Sequence, residues 1–402
     1  MSELVDKDPE PKNNPDNIEP TEDEDKVHQW DDLDISSQLL RGIYSYGFET
    51  PSEIQKKAIA PILKGRDIIA QAQSGSGKTG CFSISALNMV DVSQKAVQAV
   101  IIVPTHELAN QIYRVITSIG SFLEELKVKT IIGGTSIQKD AADMKKNVPH
   151  IVVGCAGRIY DMMMRKHLSL SALKLVVLDE ADEMLSKGFK DQIYNIFQHL
   201  PETVQVALFS ATLPPEILRL TEKFMNNPYK IIVKREELSV AGIKQYFVAL
   251  NDDRAKYDAL KSMFSVISVS QCIIYCNSVK KVVDLYAAMT DDGFSVCYIH
   301  GSMAKADRDA AFRSFLDGNY RVLISSDVTS RGIDIQQVQF VINFDICKDL
   351  STFLHRVGRT SRYGRKGVAI NFITRSDVVI VKKIETHYKI NIEELPRDYK
   401  GL

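Results

Sequence analysis

Short apolar runs of four to six residues recur along the chain, each followed by a polar turn and then by a stretch with helical spacing. In the first half the runs are Asp67–Ala70, Val100–Val103, His150–Val153, Leu175–Leu178 and Val206–Phe209. In the second they are Cys272–Tyr275, Ser295–Ile299, Arg321–Ile324, Phe340–Asn343 and Val368–Ile373. Runs that are apolar throughout predict strands covered on both faces. Their alternation with helical segments predicts a parallel α/β sheet.

The polar segments after these runs carry the candidate chemistry, because open α/β sheets bind ligands at the carboxyl ends of their strands. They are Ser74–Thr79, Pro104–Glu107, Cys155–Arg158, Asp179–Asp182 and Ser210–Thr212 in the first half. The second half offers Asn277, His300-Gly301, Ser326–Asp334 and Asp345. The expected fold class is α/β, with two tandem parallel-sheet domains whose crests face each other across a cleft. One large sheet is the alternative. The expected boundaries are a tail at 1–26, a first domain at 27–233, a charged linker at 234–242 and a second domain at 243–402.

Two segments stand out. Residues 72–79 read Ala-Gln-Ser-Gly-Ser-Gly-Lys-Thr, and 179–182 read Asp-Glu-Ala-Asp at the end of an apolar run. In the first, the backbone N–H groups of Ser74, Gly75, Ser76 and Gly77 can wrap phosphates. Lys78 can reach the β and γ oxygens, and the Thr79 hydroxyl can ligate Mg²⁺. In the second, Asp179 can hold the metal's shell and Glu180 can orient an attacking water. In this order and about a hundred residues apart, the pair predicts a nucleoside triphosphatase with a Mg²⁺ site.

Composition narrows the setting. Of 402 residues, 45% are apolar and 25% charged, as in ordinary globular proteins. No stretch approaches the ~18 consecutive apolar residues of a membrane span, and the polar N-terminus has no signal-like segment. None of the six cysteines forms a Cys-x-x-Cys pair, which argues against zinc and disulfides and for a reduced compartment. The net charge of −1 hides an asymmetry: residues 1–34 carry −10 and the remainder +9. A basic body suits a phosphate-rich partner. The tail, with four prolines and few apolar anchors, reads as disordered, serving either solubility or docking.

Taken in order, these segments resemble the motifs of the DEAD-box RNA helicases of superfamily 2, over about residues 30–395. Gly47–Gln55 resembles the adenine-reading Q motif, Ala72–Thr79 motif I, Asp179–Asp182 motif II and Ser210-Ala-Thr212 motif III. Ser326–Asp334 resembles motif V, and His355–Arg362 has the fixed positions of motif VI. Arg41–Phe48, Lys223–Met225 and Gly364–Phe372 look most like the translation initiation factor 4A group. That group also includes an exon-junction helicase and a nucleolar ribosome-assembly helicase. The resemblance implies two RecA-like domains and an ATP-dependent RNA helicase that unwinds RNA locally. An ATP-gated RNA clamp is the alternative.

The resemblance also assigns roles. Gln55 would read the adenine edge and Phe48 stack on the base, although Phe48 also suits a core position. Asp334 would accept from the ribose, and Arg359 and Arg362 would act as arginine fingers from the second domain. Asp182 would couple to Ser210, Thr212 and His355. RNA would meet the backbone at Gly133-Gly134, Gly157 and Gly301 and the side chains of Arg158, Asp161, Arg308 and Ser326. Such contacts to phosphate and 2′-hydroxyl are independent of sequence. Implied partners are RNA and a helical-repeat scaffold of the initiation factor 4G type, for a monomer in the cytoplasm or, alternatively, the nucleus or nucleolus. The chain departs from the family mostly on the RNA side. His106 replaces an Arg, Cys155-Ala156 a Thr-Pro, Ser330 an Ala and Lys305 a Gln; Trp30 stands where Phe is usual.

Overall fold

The computed structural model describes residues 27–72, 75–186, 188–232, 243–266, 271–327, 338–360 and 367–396. The tail at 1–26, the linker at 234–242, and Ser74, Asp334 and Arg362 lie outside the described residues.

The described residues form two seven-stranded sheets, not one. The first comprises β1 (Ile68–Gln71), β2 (Ala99–Val103), β3 (Val128–Ile131), β4 (Ile151–Cys155), β5 (Leu175–Asp179), β6 (Gln205–Ser210) and β7 (Tyr229–Ile232). The second comprises β8 (Ile243–Ala249), β9 (Cys272–Tyr275), β10 (Val296–Ile299), β11 (Val322–Ser325), β12 (Phe340–Asn343), β13 (Gly367–Ile373) and β14 (Glu393–Glu394). Their orders are β3-β4-β2-β5-β6-β1-β7 and β10-β11-β9-β12-β13-β8-β14, all pairings parallel. Counted within each half, the two orders are the same.

Side-chain alternation explains why these strands are apolar at every position. Ile68, Ala70, Ile101, Val177 and Phe209 enter one core, and Ile69, Val100, Val176, Leu178 and Leu208 enter the core on the opposite face. The second sheet divides likewise: Cys272, Ile274 and Ile342 lie on one side, Ile273, Tyr275 and Val341 on the other. The strands that no apolar run announces are β3, β7, β8 and β14. Three of them lie at sheet edges, where one neighbour is missing, and β8 reads Ile-Lys-Gln-Tyr-Phe-Val-Ala with polar residues interleaved.

Register sets the site. Gln71 at the end of β1 lies opposite Ser210 at the end of β6, and Asp179 at the end of β5 lies opposite Phe209. The phosphate-loop segment, the acidic turn and Ser210–Thr212 therefore emerge side by side from three adjacent strands. In the second sheet Tyr275, Ser325 and Asn343 end their strands at one level, opposite Asn371 within β13. Asp349 Oδ2 accepts from Thr352 N at 2.7 Å and caps the helix Leu350–Val357, which carries His355 and Arg356.

Candidate functional site

The phosphate-loop segment bends through left-handed backbone at Gly75 (φ 84°) and Gly77 (φ 105°) before the helix Lys78–Met89. At Gly77 a side chain is excluded twice over: the φ disfavours L-residues, and a Cβ would stand 2.5 Å from Ser52 Oγ. The loop folds around its own lysine. Lys78 is buried, with Nζ donating to Ala72 O at 2.8 Å and lying 3.9 Å from Glu180 Oε1. Thr79 is half-buried in the first turn of the helix. Ser76 Oγ is buried without a hydrogen-bond partner among the described residues. A tight loop with an orphaned hydroxyl, an enclosed cation and a helix N-terminus is a cradle suited to phosphate oxygens.

The helix Glu53–Leu63 packs against this loop. Gln55 is buried; its Oε1 accepts from Ser52 N at 2.7 Å and its Nε2 donates to Gly77 O at 3.1 Å. Its amide thus braces the phosphate loop, with one Nε2 hydrogen left over. Phe48 is half-buried above Gly80, where a Cβ would meet its ring at 2.9 Å. Behind it, fully buried Trp30 stacks at 6.2 Å and donates from Nε1 to Phe48 O at 3.0 Å.

The acidic turn is strained and desolvated. Glu180 adopts φ 54°, a left-handed conformation costly for a side chain other than glycine's. Asp179 Oδ1 accepts from Glu180 N at 3.0 Å. Burial, then the neighbouring Glu180, raise the Asp179 carboxyl from its ordinary 3.8 to about 7, with Lys78 opposing. A buried carboxyl held this far up is a poor resident charge and a good ligand for a hard divalent cation, so the donor set fits Mg²⁺.

Asp182 joins the halves. Its backbone N donates to Ser210 Oγ at 3.3 Å, and its Oδ2 accepts from Thr212 Oγ1 at 2.8 Å. From the second half, His355 Nε2 lies 3.2 Å from that same Oδ2 and 3.8 Å from Glu180 Oε2. Ala211 is buried in the apolar cluster that also holds Phe353 and Leu354. Arg359, buried beside them, donates from Nε to His355 O at 3.2 Å.

Arg356 is a residue that sequence reasoning left inside a motif string. It is fully buried, over the Tyr275 ring at 5.1 Å. Nε donates to Asp327 Oδ1 at 2.7 Å, NH1 to Asp345 O at 2.8 Å and Asn343 Oδ1 at 3.3 Å, and NH2 to Asn277 Oδ1 at 2.8 Å. It ties the ends of β9, β11 and β12 into one crest. The signal for this was present: polar residues end each of those strands, and one buried guanidinium can satisfy several of them.

Of the expected RNA-side residues, Arg158, Asp161 and Arg308 have side chains engaged within the protein. Gly134 (φ 82°) and Gly301 are exposed; Gly157 and Ser326 are half-buried. Arg158 NH1 donates to Asp140 Oδ2 at 3.0 Å and NH2 to Thr135 O at 2.9 Å. Asp161 accepts from Arg165 Nε at 2.7 Å. Arg308 reaches across to the first half, with Nε 2.6 Å from Glu107 Oε1 and NH2 3.0 Å from His106 Nδ1. Among the described residues, no helix is long and apolar enough to cross a membrane.

Two family descriptions match the chain: DEAD/DEAH box helicase over residues 52–220, and Helicase conserved C-terminal domain over residues 255–364. The chain is 47% identical to the Eukaryotic initiation factor 4A of Caenorhabditis elegans over 376 residues, 94% of this chain and 93% of that protein. The ATP-dependent RNA helicase eIF4A of Schizosaccharomyces pombe is 46% identical over 387 residues, 96% of this chain and 98% of its own. Among solved structures, S. cerevisiae Dbp5 bound to RNA and ADP BeF3 superposes with a TM-score of 0.86 at 33% identity, covering 92% of this chain and 96% of its own. Mss116p bound to ssRNA and AMP-PNP gives 0.83 at 26% identity, covering 91% of this chain and 78% of its own. The chain belongs to the DEAD-box helicases, among their initiation factor 4A-like members.

Proposed function

We propose that ATP hydrolysis by this protein is completed only when its two halves close on RNA, so that each closure separates strands locally. As a DEAD-box helicase of this group the chain is an RNA-dependent ATPase that remodels RNA. The observation that carries the closure reading is Asp182, whose one carboxylate oxygen meets Thr212 of its own half and His355 of the other. ATP and RNA each favour the joined state in this reading, so each raises the other's affinity.

Within the site, Lys78 and the amides of 74–77 hold the β- and γ-phosphates. Glu180 orients the attacking water and receives its proton. Arg359 and Arg362 balance charge on the γ-phosphate from the second half. Gln55 and Phe48 select adenine, and Asp334 takes the ribose. Thr79 and Asp179 would hold Mg²⁺, which supplies charge neutralisation at the phosphates. RNA is held by backbone contacts at Gly134, Gly157 and Gly301, with Arg158, Asp161, Arg308 and Ser326 nearby, and without base-edge readout. The partner in this reading is a helical-repeat scaffold of the initiation factor 4G type, for a cytoplasmic monomer.

ATPase rates with and without single-stranded RNA, at low and at physiological salt, test the closure reading. Stimulation by RNA that weakens with salt is expected. A rate indifferent to RNA at both salts, and unchanged by loss of either Arg359 or Arg362, overturns the shared site.

A further inference from the structure

We propose that His106 is a positioning residue that makes closure of the two halves proton-sensitive, by serving as a neutral acceptor for Arg308. The inference rests on the reading that closure on RNA completes the ATPase. His106 opens the helix His106–Ile119, capped by Thr105 Oγ1, at the crest of the first half. Its Nδ1 is 3.0 Å from Arg308 NH2, on the helix Lys305–Leu316 of the second half. The neighbouring Glu107 holds Arg308 Nε at 2.6 Å, and both Arg308 and Glu107 are buried. One guanidinium is thus fixed by two consecutive residues of the opposite half, through a carboxylate and an imidazole.

A guanidinium only donates hydrogen bonds. Nδ1 must therefore be a bare acceptor, and the imidazole neutral with its proton on Nε2. The Nε2 edge faces the loop after β3, where it lies 3.1 Å from the point a Cβ on Gly133 would occupy. Glycine there leaves room for the ring to sit flat enough to aim Nδ1 across the cleft. A second proton on the imidazole would replace an acceptor by a cation against the Arg308 guanidinium. Among the described contacts, the charged groups at this junction are Arg308 from the other half and Glu107, which shares that guanidinium with His106. The loop on its Nε2 side holds the Arg158–Asp140 pair through Thr135, leaving those charges balanced against each other.

The family's arginine at this position carries a fixed charge and no acceptor. His106 exchanges it for a group that ordinarily titrates near pH 6.5. Closure then selects the deprotonated ring, and acid opposes closure.

The test uses the full chain loaded with Mg·ADP–beryllium fluoride and a fluorescent oligouridylate. RNA affinity is measured by anisotropy from about pH 8 down to about pH 6, for wild type and His106→Asn. Asn places an amide oxygen where Nδ1 lies and does not titrate. One linked proton is worth up to about tenfold in affinity per pH unit. Wild type is expected to lose several-fold more affinity across this range than His106→Asn. Parallel losses in the two proteins overturn the proposal, since other groups titrate in both. A second measurement reads the contact without relying on RNA affinity: imidazole ¹⁵N shifts of the full chain, with and without nucleotide and RNA. The expected result is a His106 ring that stays neutral, with Nδ1 bare, to a lower pH in wild type than in Arg308→Ala. A titration unchanged by Arg308→Ala overturns the contact outright. Failure of RNA binding in every variant, with the Arg308-dependent titration intact, would count against the RNA-closure reading and leave the contact standing.

Discussion

The two halves share one strand order, and the same positions along it do opposite work. β1 of the first half and β8 of the second occupy equivalent places in their sheets. After β1 the chain makes a glycine-bent loop and a helix opening at Lys78. After β8 it runs through Leu250-Asn-Asp, where Leu250 N donates to Ile373 O, and enters the helix Asp253–Val266 without a glycine. Charge divides as well. The crest of the first half carries Asp179, Glu180 and Asp182; facing Glu180 and Asp182 is His355, whose carbonyl accepts from Arg359. In the reading proposed above, the duplicated fold supplies a phosphate site from one half and its cover from the other. Neither crest is then a complete active site, which makes catalysis answerable to whatever brings them together.

The sharpest way to break this division is to remove the cover. Arg362→Ala should lower RNA-stimulated hydrolysis by about 10³-fold, with ATP affinity changed far less, because such fingers contribute about 10³–10⁵ in rate. A variant retaining stimulated turnover in a coupled ATPase assay would return this arginine to the surface. Next comes the first half's own chemistry. Glu180→Gln should reduce turnover by about 10²–10⁴-fold while preserving ATP binding, the range of a lost general base. Near-normal steady-state hydrolysis would remove Glu180 from the mechanism.

Arg356 probes whether the second crest is a built structure in its own right. Arg356→Met keeps the volume but leaves Asp345 O and the side-chain oxygens of Asn277 and Asn343 without this donor. Removing one partner from a buried charged network costs about 3–5 kcal/mol. Denaturant unfolding should show that loss in the transition of the second half. An unfolding curve superimposable on wild type would mean that the crest is held by its strands alone.

What the sequence made legible follows the same physics. Strands buried on both faces declare themselves as continuous apolar runs, so β1, β2, β4, β5 and β6 were readable, as were β9 to β13. Edge strands such as β3 and β14 bury too little to leave that mark, and β8 hides behind interleaved Lys244 and Gln245. The phosphate loop and the acidic turn were readable because few residue types satisfy their chemistry. Partners across the cleft were not. Nothing in a string of letters says that Arg308 meets His106 and Glu107, about two hundred positions away, or that Gln55 braces Gly77. Those contacts depend on sheet register and on how the two crests meet.

The smallest expected effect separates the halves by their protons. Asp179 sits in the first half alone, its carboxyl raised to about 7 chiefly by burial and then by Glu180. The second crest has the opposite tendency: burial pushes Asp345 up, but hydrogen bonds from Lys281 and Asn277, with the Lys256 and Lys281 charges, leave it below its ordinary value. The signs follow. Asp345 is ionised through the neutral range and stabilises the fold above the unfolded carboxylate pKa, losing that contribution only in acid. Asp179 favours the fold when protonated; its contribution is complete below about 4 and is lost as pH rises toward 7. A cation must displace that proton, so Mg·ATP affinity should rise by up to about tenfold per pH unit below 7 and level off above it. Fluorescent-nucleotide titrations at fixed free Mg²⁺ check this, with Asp345→Asn expected to leave the slope unchanged. An affinity flat from about pH 6 to about pH 8 would mean that the carboxylate is already ionised without metal, and that the two crests do not differ in this respect.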